Sequence, residues 1–172
     1  MLKWVGILLI LTGTGGLGLR MANELDLRIR ELQTLQQIVL LLNGEIRHLH
    51  RPLPEAFRSA GERTGEPFRD FLLRTATDLE QRNGRSARLI WERNLKNCAG
   101  ELHLTEPDLR ALDELGGMLG CLDVKQQLGA LAYYQENLNR ALADAAEDAK
   151  NRKKLYRYLG ILSGVAVVIF IL

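Results

Sequence analysis

Three histidines and two cysteines are the first places to look for chemistry in this 172-residue chain. His48 and His50 stand two apart, which on a helix turns them to different faces, whereas a helical metal pair needs i, i+4 spacing. His103 is distant, and Glu101 before it matches no zinc motif. Cys98 and Cys121 lie 23 residues apart with no C-x-x-C between them. They read as small buried residues of a reducing compartment rather than as ligands or a disulfide. Gly13-Thr14-Gly15-Gly16-Leu17-Gly18 has the lettering of a dinucleotide loop, but no βαβ unit surrounds it. No G-x-x-x-x-G-K-S/T is present to hold a nucleotide triphosphate, and no nucleophile can be paired with a base. Leu119-Gly120-Cys121 resembles a lipoprotein cleavage box only in its letters, since it lies mid-chain behind no signal. The expectation is a protein that is not an enzyme, with no cofactor and no metal.

The ends carry the next signal. Sixteen residues from Trp4 to Leu19 and fifteen from Tyr158 to Leu172 bear no charge. At 1.5 Å per residue each run spans about 22–24 Å, short of a hydrocarbon core of roughly 30 Å. Trp4, Tyr156 and Tyr158 at headgroup level, with Arg20 and Arg157 snorkelling, make up part of the difference. The first run also has the form of a cleaved secretory signal, with Lys3 as its charged start. The positive-inside rule favours two retained anchors, because Arg20, Arg28, Arg30 and the cluster before Tyr158 place the middle of the chain in the cytosol. The expected division is an N-terminal transmembrane segment at 1–19, a cytosolic body at 20–157 and a C-terminal transmembrane segment at 158–172. Over 20–149 there are 17 Lys/Arg against 21 Asp/Glu, so the body is mildly acidic and would suit a basic partner.

Between the ends the periodicity is helical throughout. Apolar residues recur at Leu25, Ile29, Leu32, Leu35, Val39, Leu42, Ile46 and Leu49, a period near that of a coiled-coil seam. No proline interrupts residues 1–51, so the first anchor continues into this helix until Pro52 stops it. Pro54 opens a short helix with Phe57 and Ala60 inward, ending at Thr64-Gly65. Pro67 opens a third, with Phe68, Phe71, Leu72 and Leu79, closed by Asn83-Gly84. Ser86 caps a fourth with Ile90, Trp91 and Leu95, and Thr105-Glu106-Pro107-Asp108 starts a fifth with Leu109, Leu112, Leu115 and Leu119. Gly116, Gly117 and Gly120 weaken its end. Asp123 starts a sixth, with Leu128, Leu131, Leu138 and Leu142 inward, which runs on into the second anchor. The fold class is therefore all-α: a six-helix bundle between two transmembrane helices, with helices two to five forming the part distal to the membrane.

Three features carry functional weight. Lys150, Arg152, Lys153, Lys154 and Arg157 form a basic collar beside an apolar run, where anionic lipid headgroups are a simpler partner than nucleic acid. Trp91 reads as core. The 115–123 stretch reads as a helix end and turn, or as an adaptable surface for another protein, with Leu119, Gly120 and Asp123 as contact or shape-determining residues.

These residues, taken in order, resemble the stage III sporulation protein AB family along the whole chain. The likeness runs through Met1-Leu2-Lys3, Glu45-Ile46, Pro52-Leu53, Ala56, Ser86-Ala87, Trp91-Glu92, Leu95, Gly116, Leu119-Gly120, Asp123, Gln127, Lys150-Asn151 and Leu159-Gly160-Ile161-Leu162-Ser163-Gly164. The resemblance implies a component of a trans-envelope channel complex in the mother-cell membrane around the forespore. That family in turn resembles the cytoplasmic six-helix domain of type II secretion and type IV pilus F platform proteins, which work with a cytosolic ATPase. The expected partners are thus a secretion-type cytosolic ATPase, other membrane components of the sporulation channel and membrane lipids, with no nucleic acid. A membrane-anchored regulatory adaptor with no channel role is the competing reading. Asn43-Gly44 departs from the family pattern, costs on the order of 1 kcal/mol within a helix and could mark a bend.

Overall fold

All four prolines of the chain fall at the N-cap or in the first turn of a helix, where a missing N–H and a fixed φ do least damage. The computed structural model describes residues 2–81, 85–120 and 123–171, with side chains for 24–81, 85–120, 123–151 and 155. Six α-helices account for nearly all of it: α1 Leu2–Arg47, α2 Leu53–Glu62, α3 Phe68–Glu80, α4 Ala87–Cys98, α5 Glu106–Leu119 and α6 Val124–Ile171. A single 3-10 turn, Ala99–Glu101, follows α4. No strand occurs among the described residues. The expected start signals act as such. Ser86 Oγ accepts the Leu89 N–H, Asp123 Oδ1 accepts the Gln126 N–H at 2.9 Å, and the Asp108 carboxylate takes both the N–H and the hydroxyl of Thr105.

Each helix packs on its neighbour in sequence, and α1 also packs along α6. The six therefore close into a ring around one core. Its centre is the expected α1 seam, with Leu32, Leu35, Val39, Leu42 and Ile46 all buried, together with Phe57, Phe71, Trp91, Leu115, Leu119 and Leu131. Leu25 and Ile29 are partly buried against it. Leu49, the last residue of the seam, lies beyond the end of α1 and is 55% exposed. The chain turns there through His50 at a φ of 51°, a left-handed position that ends the helix five residues before Pro52–Pro54 can.

Two readings of glycine change. α5 runs through Gly116 and Gly117 to Leu119 without a break. A Cβ at Gly116 would come within 2.2 Å of the Trp91 indole, so this glycine is the seat on which Trp91 lies. The indole N–H donates to the Leu112 carbonyl at 3.1 Å, and its ring meets Phe71 edge-on and Phe57 tilted. α1 likewise passes as uninterrupted helix through Asn43-Gly44, where a Cβ would meet nothing within 4 Å.

The anchors predicted at 1–19 and 158–172 lie outside the residues whose side chains are described, although α1 and α6 continue through them as helical backbone. Among the described residues no helix is long and apolar enough to cross a membrane. The Asn83-Gly84 stop also lies outside them, and α3 is capped at Gln81.

The two glycines should respond to alanine with opposite signs. Gly116→Ala should cost about 1–3 kcal/mol by forcing Trp91 off α5, and Gly44→Ala should gain about 0.5–1 kcal/mol of helix stability. Thermal unfolding of the full chain in detergent, followed by circular dichroism, gives both signs. A Gly116→Ala chain as stable as its parent would remove the packing account of this glycine.

Candidate interaction surface

Polar groups inside the bundle tie the helices together in pairs. Arg28 of α1 makes a bidentate pair with Asp108 of α5, at 2.8 and 3.1 Å, and Asp108 is almost fully buried. Burial works to raise the Asp108 pKa, but hydrogen bonds from Arg28 and Thr105 outweigh it and hold the carboxyl below its ordinary range. The same hydrogen bond, helped by Asp148 and Asp144 of α6, raises the Arg28 pKa. Beside this pair opens a cleft of about 400 Å³ among α1, α5 and α6, bordered by Arg28, Asp108, Tyr134, Asn137 and Asp144. The buried Tyr134 hydroxyl has no hydrogen-bond partner among the described residues, and burial pushes its pKa upward.

At the other end of α1, Glu45 is buried and accepts the Ser59 hydroxyl of α2 at 2.6 Å. Arg51 Nη1 lies 3.0 Å from its second oxygen as an ion pair, out of line for a hydrogen bond. Asn94 of α4 joins α3 through Asp78 and Thr75. His103 binds the Glu31 carboxylate of α1 through both its backbone N–H and Nδ1.

None of this assembles a reactive centre. Among the described residues no three of His, Cys, Asp and Glu converge to hold a metal. Burial pushes the Cys98 thiol up to about 11, which keeps it protonated and unreactive. Cys121 lies outside the described residues.

The residues singled out around the α5–α6 turn have structural work to do. Leu119 is buried in the core, and its carbonyl accepts the Gln127 side-chain amide at 2.9 Å. A Cβ at Gly120 would stand 2.7 Å from that of Ala87, so the glycine lets α4 start against the end of α5. Asp123 is exposed and caps α6. These three set the shape of the turn, and only Gly120 and Asp123 reach the surface. Of the collar, Lys150 is exposed on α6, while Arg152, Lys153, Lys154 and Arg157 lie outside the described side chains.

The buried acids were the harder residues to find. Glu45 falls between seam positions Leu42 and Ile46, three residues past the first, so a charge on the apolar stripe was the available signal.

Register places the turns relative to one another. Gln36 of α1 donates to Asn139 of α6 at 2.7 Å, and α1 and α6 run antiparallel, so Arg47 stands level with Leu128. The end of α1 and the start of α6 therefore share one end of the bundle. α4 starts there too, against Gly120. Residues 48–52, 85–86, Gly120 and Asp123, which flank the joins between α1 and α2, α3 and α4, and α5 and α6, thus gather at the end away from Glu24 and Lys150.

The profile described as stage III sporulation protein AB matches residues 3–172. The chain belongs to that family. A family member from Bacillus subtilis (strain 168) is 26% identical over 172 residues, covering the full length of both chains. A solved structure of a stage III sporulation protein AB matches with a TM-score of 0.65 at 24% identity, over 72% of this chain and 97% of that one. That likeness shows the helical fold. This is a sporulation family and not a known enzyme family.

Arg28→Ala leaves the Asp108 charge buried and unpaired, and should cost about 3–5 kcal/mol. Removing Arg74 from its exposed pair with Asp70 should leave the melting temperature essentially unchanged, because solvent screens that pair. Because the folded pKa of Asp108 is lowered, its contribution is complete above the unfolded carboxylate pKa near 4 and is lost as pH falls through the folded value. Melting temperatures of parent and Asp108→Asn chains should therefore converge as pH drops below about 4. Parallel pH curves for the two would show that the pair contributes nothing through its charge.

Proposed function

We propose that this sporulation protein is a non-enzymatic membrane platform in a trans-envelope, secretion-like complex. The reading places anchors at 1–19 and 158–172 in the mother-cell membrane around the forespore, with the collar on lipid headgroups and 20–157 in the cytosol. A cytosolic ATPase of the same complex docks on the bundle, and other membrane components of the channel meet the anchors. The observation that supports this is the clustering of three interhelical connections at one end of the bundle, opposite the ends that lead toward the two uncharged segments. About 40 Å of helix separates Arg20 from Arg47, so that end stands clear of the bilayer. Family membership supports the sporulation setting.

Two measurements test the reading. Single cysteines at positions 2 and 172 should react with a membrane-impermeant reagent in a topology assay from the non-cytosolic side, while one in the bundle should not. The reverse pattern would overturn the orientation. The full chain in lipid nanodiscs should bind the purified ATPase of the complex. Asp123→Ser keeps the α6 cap and removes the charge, so it should melt with the parent and bind severalfold more weakly. Equal binding makes Asp123 a cap alone, and no binding by the parent favours the adaptor reading.

A further inference from the structure

α1 carries two seams. The inward one, from Leu32 to Ile46, lies in the core. On the opposite side Asp26, Arg30, Gln33, Gln37, Leu40 and Gly44 follow one another at alternate steps of four and three, the spacing with which one helix lays a continuous ridge along another. Gly44 is partly exposed and the other five are exposed, Leu40 at 64%. From Leu32 to Gly44, thirteen residues, α1 bears no charge, although 26% of the chain is charged. α6 alongside bears none from Gln126 to Gln135. The Gln36–Asn139 register brings the two uncharged stretches to the same height around Leu40–Gly44 and Leu131–Gln135. The charges at the borders balance. Asp26 and Arg30 make no ion pair among the described residues, and at their height α6 contributes Glu147 and Lys150. Glu136 has Arg140 within 3.9 Å, and Arg47 ends the seam at the last residue of α1.

We infer that this outer seam of α1 packs against the same seam of a second copy, about a two-fold axis parallel to α1. In such a pair every residue on the axis meets itself. Like charges apposed in that way are costly, so a surface suited to its own copy is uncharged or alternates in sign. The seam has both properties. Gln33 and Gln37 offer amides, which donate and accept at once and so can bond to their own copies. Leu40 covers Leu40, and Gly44, where a Cβ would meet nothing within 4 Å, leaves room for the approaching backbone. Asp26 and Arg30 of two copies form a group of four charges in which the signs alternate. Arg47 is the one like-charge contact, at the helix end, where its long side chain can turn aside. The direction of the axis rests on the anchored reading: two copies rooted in one bilayer stand with α1 parallel. Confinement to that bilayer raises their effective concentration, so a seam with a single leucine suffices.

The test uses the full chain carrying Cys98→Ala and Cys121→Ala, reconstituted in phosphatidylglycerol–phosphatidylethanolamine vesicles with one new cysteine at a time. Gln33→Cys and Leu40→Cys, seven residues apart on the seam, should each give a disulfide-linked dimer under a mild oxidant. Leu89→Cys, exposed on α4, should not. Dimer at only one of the two heights means that the helices cross or run antiparallel, and overturns the parallel axis. Dimer at neither height, or equally at Leu89→Cys, overturns the seam. Charge reversal gives a second readout in the Leu40→Cys chain. Asp26→Arg alone and Arg30→Asp alone each place four like charges together, and should lower the dimer yield by about tenfold. Asp26→Arg/Arg30→Asp restores the alternation and should recover the yield. Single reversals without effect, or a double reversal that melts like the parent and does not recover, overturn the pairing. Labelling at positions 2 and 172 reports on the anchors separately. Correct labelling without dimers removes the seam and leaves the platform reading; dimers at both heights with reversed labelling do the opposite.

Discussion

The antiparallel pairing of α1 with α6 is the constraint from which the remaining architecture follows. With the first and last helices side by side, the chain leaves α1 at Arg47 and re-enters α6 at Val124 at one end of the molecule. The four intervening helices have to close a circuit between those points. An even number of short helices returns the chain to the end it left, so three connections collect there. The Gln36–Asn139 bond fixes the register of that pairing near its midpoint, and the apolar seam from Leu32 to Ile46 supplies the buried area that holds it.

Charged groups determine which arrangement of those helices is unique. Apolar stripes tolerate rotation and slippage, because one leucine replaces another at little cost. Asp108 does not, since any other register of α5 on α1 leaves it buried without Arg28. Glu45 acts likewise between α1 and α2 through Ser59 and Arg51. Trp91 on Gly116 gives a third fixed point through shape, because a side chain at that position would meet the indole at 2.2 Å.

Much of this was legible in the residues. The α1 seam, the caps at Ser86, Thr105 and Asp123, and the inward stripes of α2 to α6 follow from periodicity and capping chemistry alone. Gly116 was misread, because a glycine that breaks a helix and one that admits a neighbouring indole look identical until the neighbour is placed. Leu49 continues the seam in spacing, but the left-handed turn at His50 that removes it from the helix has no marker such as glycine.

The points that fix α1 lie at both ends and the middle of its bundled stretch: Arg28 to α5, Gln36 to α6, Glu45 to α2. A hydrogen bond fails within a fraction of an ångström of stretch, whereas one helical turn of sliding is about 5.4 Å. α1 therefore cannot move as a piston through the bundle. A push at one end has to leave the other as a change of tilt. Because α1 and α6 are helical well past the bundle, a tilt of about 5° displaces a point 40 Å away by roughly 3–4 Å. The pinned bundle is a fulcrum, and the long helices are its arms.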